Sequence, residues 1–275
     1  FHLFLHPIGN VIRTRDVLNN PSEFSLVATA TPNQIWHVDT AGNNNNWGSE
    51  ISKLKTISFA IQQANLGDTL ILSKGTYNER INLTGKELTI ASQYLLNNNQ
   101  THADSTFIDG NNLGTLPLIS DAQNKRFNLV GLHITKAAQI AVTSNSNAQN
   151  RVNIINCIVS QSGTTFTNGV INISNGEILK TTLRNCSASV LLNAGNHIQN
   201  TRLTISQTKM FNNVSSGSLV QSNYATLVNN LFNNNTAIAV VANNVSADAN
   251  DSALILINNT IANNNAIGMQ VGGSP

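Results

Sequence analysis

The sequence predicts an all-β protein built as a parallel solenoid, a stack of short coils that share long sheets. Three observations predict it. Asn alone accounts for 46 of the 275 residues, and Ser plus Thr for another 49. Such residues are poor in helix interiors, which argues against a helical bundle. Forty per cent of the chain is nevertheless apolar, too much for a disordered polar tract. Finally, from Val130 onward the chain repeats itself. Ile134, Ile158, Leu183, Met210, Phe232 and Ile261 form one column, at separations of 24, 25, 27, 22 and 29 residues.

Flanking columns fix the register. Four residues earlier stand Val130, Ile154, Leu179, Ser206, Val228 and Ile257. Two residues before the apolar column stand Asn156, Thr181, Thr208, Asn230 and Asn259, and two after it Ser160, Asn185, Asn212, Asn234 and Asn263. With a strand period of two, these columns are expected on one side. One coil of this size cannot bury its own apolar face. Stacked at roughly 4.8 Å, successive coils can. Asn156, Thr181, Thr208, Asn230 and Asn259 are therefore expected to form a structural ladder, rung bonded to rung. A β-sandwich would show hairpin turns every 8–12 residues, and few Asn-Gly or Asp-Gly signals occur.

The elements follow in order. Residues 1–34 read as an N-terminal extension, with Ser25–Thr31 as a candidate strand ended by Pro32. Residues 35–67 form an N-terminal cap with a helix at about 55–66. Leu54, Ile57, Ile61 and Ala64 lie on one helical face, Thr56 is placed to cap its start, and Gly67 follows its end. Residues 68–271 make the solenoid, roughly eight coils. Gly272–Pro275 read as a linker or truncation point. Nothing after Ile261 resembles a cap for the final rung. This end is accordingly expected to continue into further chain or to contact a partner.

Within 36–92, Trp36-His37-Val38-Asp39, Trp47-Gly48, Lys55-Thr56-Ile57, Gly67-Asp68-Thr69 and Gly75-Thr76-Tyr77 occur in an order that resembles the opening of right-handed parallel β-helix proteins of the pectin-lyase-like superfamily. The resemblance implies a right-handed single-stranded parallel β-helix whose capping α-helix closes the N-terminal end. The later coils, such as Leu227–Asn235, are similar to repeats of bacterial cell-surface proteins. This fold hosts lyases, hydrolases and adhesins alike, so it does not fix a function.

The chemistry is sparse. Hydrolysis of a glycosidic bond needs two flanking carboxylates, and the polygalacturonase signatures are absent. An acidic cluster for calcium is missing too. Asp104, Asp109 and Asp121 read as turn residues, and no metal or cofactor is expected. The outward stripe beside the apolar column reads His133, Cys157, Thr182, Lys209, Leu231 and Thr260. A parallel stripe reads Gly131, Ile155, Lys180, Gln207, Asn229 and Asn258. Neither carries a carboxylate. Lys180, Arg184, Arg202 and Lys209 are the candidate ligand-binding residues, a set able to meet an anionic sugar if they share a face. His133 and His197 stand without sequence partners. Cys157 and Cys186 fall in different columns, so no disulfide is expected.

A net charge of +2 excludes a dedicated nucleic-acid binder, and no apolar run is long enough to span a membrane. These readings converge on a non-enzymatic extracellular β-helix module of a bacterial secreted or cell-surface protein. Its task would be adhesion, carbohydrate contact or spacing, with polysaccharide or other surface proteins as partners. The alternative is a polysaccharide-active enzyme, most plausibly a lyase.

Overall fold

A computed structural model describes residues 4–5, 12–13, 33–121, 123, 125–144, 151–164, 166–194, 202–222, 224–243, 254–266 and 268–272. The chain divides into two units, residues 1–34 and residues 35–275. In the first, Phe4–Leu5 pairs antiparallel with Ile12–Arg13. The candidate strand Ser25–Thr31 lies outside the described residues.

The second unit is a right-handed parallel β-helix. Its strands join three parallel sheets of nine, eight and eight strands; eight rungs contribute one strand to each, and Ile35–Val38 adds the ninth to the first. One rung shows the plan: Val152–Ile155 in the first sheet, Ile158–Ser160 in the second, Asn168–Asn172 in the third. Parallel strands in one sheet connected by a crossover take the right-handed path almost without exception.

From the strand Phe127–Val130 onward, the described corners between first and second sheets are two residues long, the first of them left-handed. Asn156, Lys180, Gln207, Asn229 and Asn258 all have φ between 51 and 56°. Gly131, with φ 60°, holds the same place one rung earlier. Side-chain amides tolerate this backbone better than most residues.

That corner interrupts the alternation of side chains and corrects the expected register. The inward residues of the first sheet are Leu129, Ile154, Ile178, Ile205 and Leu227, each 0% exposed. Those of the second are Ile134, Val159, Leu183, Met210 and Phe232, five residues on in every rung. Ile158 therefore pairs with His133 on the outer surface, and Val159 takes the core position assigned to it. Val130, Leu179 and Val228 likewise face outward. Two apolar neighbours, Ile158 and Val159, left the pattern ambiguous by one residue. Each fully buried core side chain contributes about 1.5–3 kcal/mol.

The slip moves one ladder position. Asn156 is the left-handed corner residue, and its amide reaches outward to Gln100 Oε1 at 2.8 Å. Cys157 occupies the ladder instead. Its backbone N–H donates to Thr181 Oγ1, and its thiol points at the Leu129 and Ile155 carbonyls. Beyond Thr208 the ladder is made of amides. Asn230 Oδ1 accepts from Thr208 N at 2.9 Å, and its Nδ2 donates to the Ile205 carbonyl. Asn259 repeats the pattern on Asn230 and Leu227.

A second ladder runs along the corner between the second and third sheets. Asn213, Asn235 and Asn264 bond one to the next, each Nδ2 also satisfying the carbonyl of Leu183, Met210 or Phe232. The Asn185, Asn212, Asn234 and Asn263 column identified from sequence lies one residue before it and is left-handed. Ser162 and Cys186 hold the ladder in earlier rungs.

The helix covers the N-terminal end. It runs Ile57–Gln63, and Thr56 caps it by accepting from Phe59 N. Glu79 also accepts from Ile57 N and Ser58 N, placing a carboxylate at the positive end of the helix dipole. Leu54, Ile57, Ala60 and Ile61 are buried in the solenoid core. The C-terminus ends before Gly67. Lys86 Nζ closes it by donating to the carbonyls of Ile61, Gln62 and Ala64. Two further short helices, Tyr94–Asn97 and Gln100–Ser105, interrupt the second rung and have no counterpart in the sequence reading.

Candidate functional site

The outward face of the second sheet carries two side-chain columns. One runs Thr76, Phe107, His133, Ile158, Thr182, Lys209; the other runs Asp109, Thr135, Ser160, Arg184, Phe211. The second column, which is neither of the two stripes read from the sequence, contains a carboxylate. Asp109 sits one rung ahead of the repeats visible in the sequence, so an alignment begun at Val130 passed over it.

Over the early rungs this face sinks into a cavity of ≈ 330 Å³, with Asp109, His133, Thr135, Ser160 and Arg184 in its wall. His133 is 8% exposed. Its ring lies 4.6 Å from that of Phe107, and Nε2 is 2.8 Å from Ser160 Oγ. The same hydroxyl lies 3.0 Å from Thr135 Oγ1. These contacts hold the imidazole in one orientation. Burial, then the Arg184 charge, push its pKa down to about 4, against a weaker upward pull from Asp104 and Asp109. The ring is neutral at physiological pH.

The charges divide unevenly. Asp109 is bound by Lys136 Nζ at 2.8 Å, and its other oxygen accepts from Asn111 N. Arg184 has no such counter-ion. It makes no ion pair among the described residues, and its Nε is shielded from solvent with no hydrogen-bond partner. A half-buried guanidinium left in this state is costly, and an anion in the cavity would relieve it.

Of the four cations proposed from sequence, Arg184 alone lines this cavity. Lys209 lies one rung further on, in the other column and exposed. Lys180 is the left-handed residue of a corner. Arg202 precedes the first-sheet strand Leu203–Ser206 and donates from Nη1 to Thr226 Oγ1. The four do not share a face. Phe107, Asp109, Thr135, Lys136 and Ser160 were missing from the sequence-derived set. Only the common column of Thr135, Ser160 and Arg184 was within reach of repeat alignment.

Other candidates resolve as structural. Asp121 accepts from Gly85 N, Gln123 N and Lys125 N, a staple for its loop. Asp104 lies on the short helix Gln100–Ser105. Cys157 and Cys186 are free and buried, and burial pushes their thiols up to about 12 and about 11. His197 lies outside the described residues. No three His, Cys, Asp or Glu side chains gather to hold a metal among the described residues. No helix is long and apolar enough to cross a membrane.

No known protein family and no curated protein matches the sequence. Solved structures with a similar chain path include a pectate lyase (12% identity, 87% of this chain and 80% of that one, TM-score 0.48). A pectin methylesterase from carrot is similar at 15% identity over 88% and 89% of the two chains, TM-score 0.47. A rhamnogalacturonan lyase follows at 12% identity, covering 88% and 62%, TM-score 0.36.

Proposed function

We propose that this chain is a carbohydrate-contact module that binds an anionic sugar unit in the cavity on its second sheet and does not cleave it. The observation that carries this reading is Arg184, a half-buried cation with an unpartnered Nε and no counter-ion among the described residues. Around it stand neutral hydrogen-bonding groups suited to sugar hydroxyls: Thr135, Ser160, Gln161 and Asn185. The carboxylate of Asp109, the single acid in the cavity wall, is already engaged by Lys136. A paired-carboxylate hydrolysis has no second acid to draw on there. In this reading the protein works outside the cell, as part of a bacterial secreted or cell-surface protein.

Calorimetric titration with oligomers of galacturonic acid, against galactose oligomers as the neutral match, tests it. The acidic series should bind and the neutral series should not. Arg184→Met should abolish binding while leaving the melting temperature unchanged or raised, because it removes a shielded unpaired group. Failure of wild-type protein to bind any acidic oligomer would sink the proposal.

A second reading has one specific observation in its favour. His133 is neutral, held in place and close to Arg184, the arrangement a proton-abstracting base needs beside a carboxylate-binding cation. Appearance of cleaved, unsaturated products, lost in His133→Gln, would replace binding by lyase activity.

A further inference from the structure

The outward face of the first sheet, away from the Arg184 cavity, carries an apolar column. It runs one residue per rung from Ile71 through Val130, Ile155, Leu179 and Val228 to Ile257. The chain covers the first half of this column itself. Tyr94, on the helix Tyr94–Asn97, packs against Ile71, Ala91 and Val130, which are 1%, 0% and 6% exposed. Gly131 makes room for it, because a Cβ there would stand 2.6 Å from Tyr94 Cβ. The helix Gln100–Ser105 lies over the adjoining corner, where Gln100 accepts from Asn156 Nδ2 at 2.8 Å. This insert spans four rungs, from that of Ile71 to that of Ile155, which also packs against the covered cluster.

The next four rungs carry the column on uncovered. Among the described residues no helix follows Ser105. Leu179, Ser206 and Val228 are half-buried, and Ile257 is 46% exposed. We propose that this face is the interface of a two-fold dimer, in which the helical insert of each copy lies on the open half of the other copy's column.

The shape favours it. Four raised rungs followed by four open ones make a step. A two-fold axis along the strands, passing between the rungs of Ile155 and Leu179, turns that step onto itself. The dimer then holds a single layer of helices between two sheets, and the apolar face of each sheet is covered along its length. The insert has apolar surface to offer. Leu95 and Leu96, beside the covered Tyr94, are 42% and 57% exposed. Four rungs at about 4.8 Å by four residues at about 3.3 Å span about 250 Å². Two such halves on each of two copies come to about 1,000 Å², the size at which a specific contact begins.

The charges agree. An axis of this kind keeps the strand direction, so the corner of one copy meets the corner of the other. The insert, residues 94–105, carries the carboxylate of Asp104 and neither Lys nor Arg. The corner of the first open rung is Lys180, which is exposed. Opposite charges therefore meet twice, once on each side of the axis.

Sedimentation of the full chain at concentrations up to about 0.2 mM tests the proposal, the range in which an interface of this size associates. Wild-type protein should pass from monomer to dimer and no further, because an isologous contact closes on itself. Leu96→Glu and Leu179→Glu should each keep the far-UV spectrum and weaken the dimer at least about tenfold, since every contact occurs twice. Lys180→Asp, an exposed change, should weaken it about fivefold. Adding Asp104→Lys to the same chain should restore it. Should Leu179→Glu fail to fold, Lys180→Asp carries the same test. A monomer at every concentration would overturn the proposal. A dimer that survives Leu96→Glu would do so too, by placing the contact elsewhere. So would a charge-swapped chain no tighter than Lys180→Asp alone.

Discussion

The early and late rungs of the solenoid are built to the same plan and do different things with it. In the late rungs, from Leu203 to Asn264, every inward corner position except Thr208 carries an amide, and Asn213, Asn230, Asn235, Asn259 and Asn264 knit each rung to the one before. The early rungs put Leu132, Ala137, Cys157 and Ser162 there. They also accept insertions, namely the short helices at Tyr94–Asn97 and Gln100–Ser105 and the loop over residues 110–117. The cavity that holds Arg184 opens on those irregular rungs. The contrast teaches that repetition supplies rigidity, and that departures from it supply a wall with charge, aromatic surface and depth.

The largest expected effect breaks the regular half. Asn235→Leu strands the backbone N–H of Asn213 and the carbonyl of Met210 inside the core, and leaves Asn213 Nδ2 only the Leu183 carbonyl. It should cost about 4 kcal/mol in urea unfolding, since each buried unsatisfied group costs about 1–3 kcal/mol. A loss below 1 kcal/mol would mean the ladder is ornamental. Asn230→Leu should behave alike.

The irregular half should instead show itself through pH. His133 titrates near 4 when folded and near 6.5 when unfolded. Between those values the unfolded chain takes up a proton that the folded chain refuses. The stability is therefore complete above about pH 6.5 and lost as pH falls towards 4, by about 3 kcal/mol. Comparing wild type with His133→Gln at pH 7 and pH 4.5 isolates it; an equal acid sensitivity in both proteins would refute the assignment.

Cys186→Ala probes the boundary between the halves. The thiol aims at the Val159 and Arg184 carbonyls but is a weak donor, so the loss should be about 1 kcal/mol, well under that of Asn235→Leu. Both native thiols should also resist alkylation until the protein unfolds. The smallest effect belongs to Lys136→Ala. Its pair with Asp109 is partly exposed, and removing it should change stability by less than about 1 kcal/mol.

Much of this architecture was legible in the sequence, though not to the last residue. The apolar columns announced the solenoid, and Thr56, Ile57 and Ile61 announced the capping helix. Pairs of adjacent asparagines hid the finer register. In Asn212-Asn213, Asn229-Asn230, Asn234-Asn235, Asn258-Asn259 and Asn263-Asn264, the first residue turns the corner left-handed and the second points inward. Composition cannot tell the two apart; backbone conformation can. The cavity was harder still. Asp109 and Phe107 precede the recognisable repeats, Lys136 is a left-handed corner residue, and His133 finds Ser160 only through the stacking of rungs.

The amide ladders have a consequence for how such a chain can change over generations. Every ladder Asn satisfies a donor and an acceptor of the preceding rung and leaves an identical set of requirements for the next. One whole repeat with Asn at both ladder positions is thus an interchangeable unit. Duplicating or excising it leaves the balance of donors and acceptors as it was, whereas gaining or losing a single residue at the two-residue corner shifts every later side chain to the wrong face. Length in the regular half is free to drift in whole repeats, and only the irregular half, where neighbours are unique, resists it.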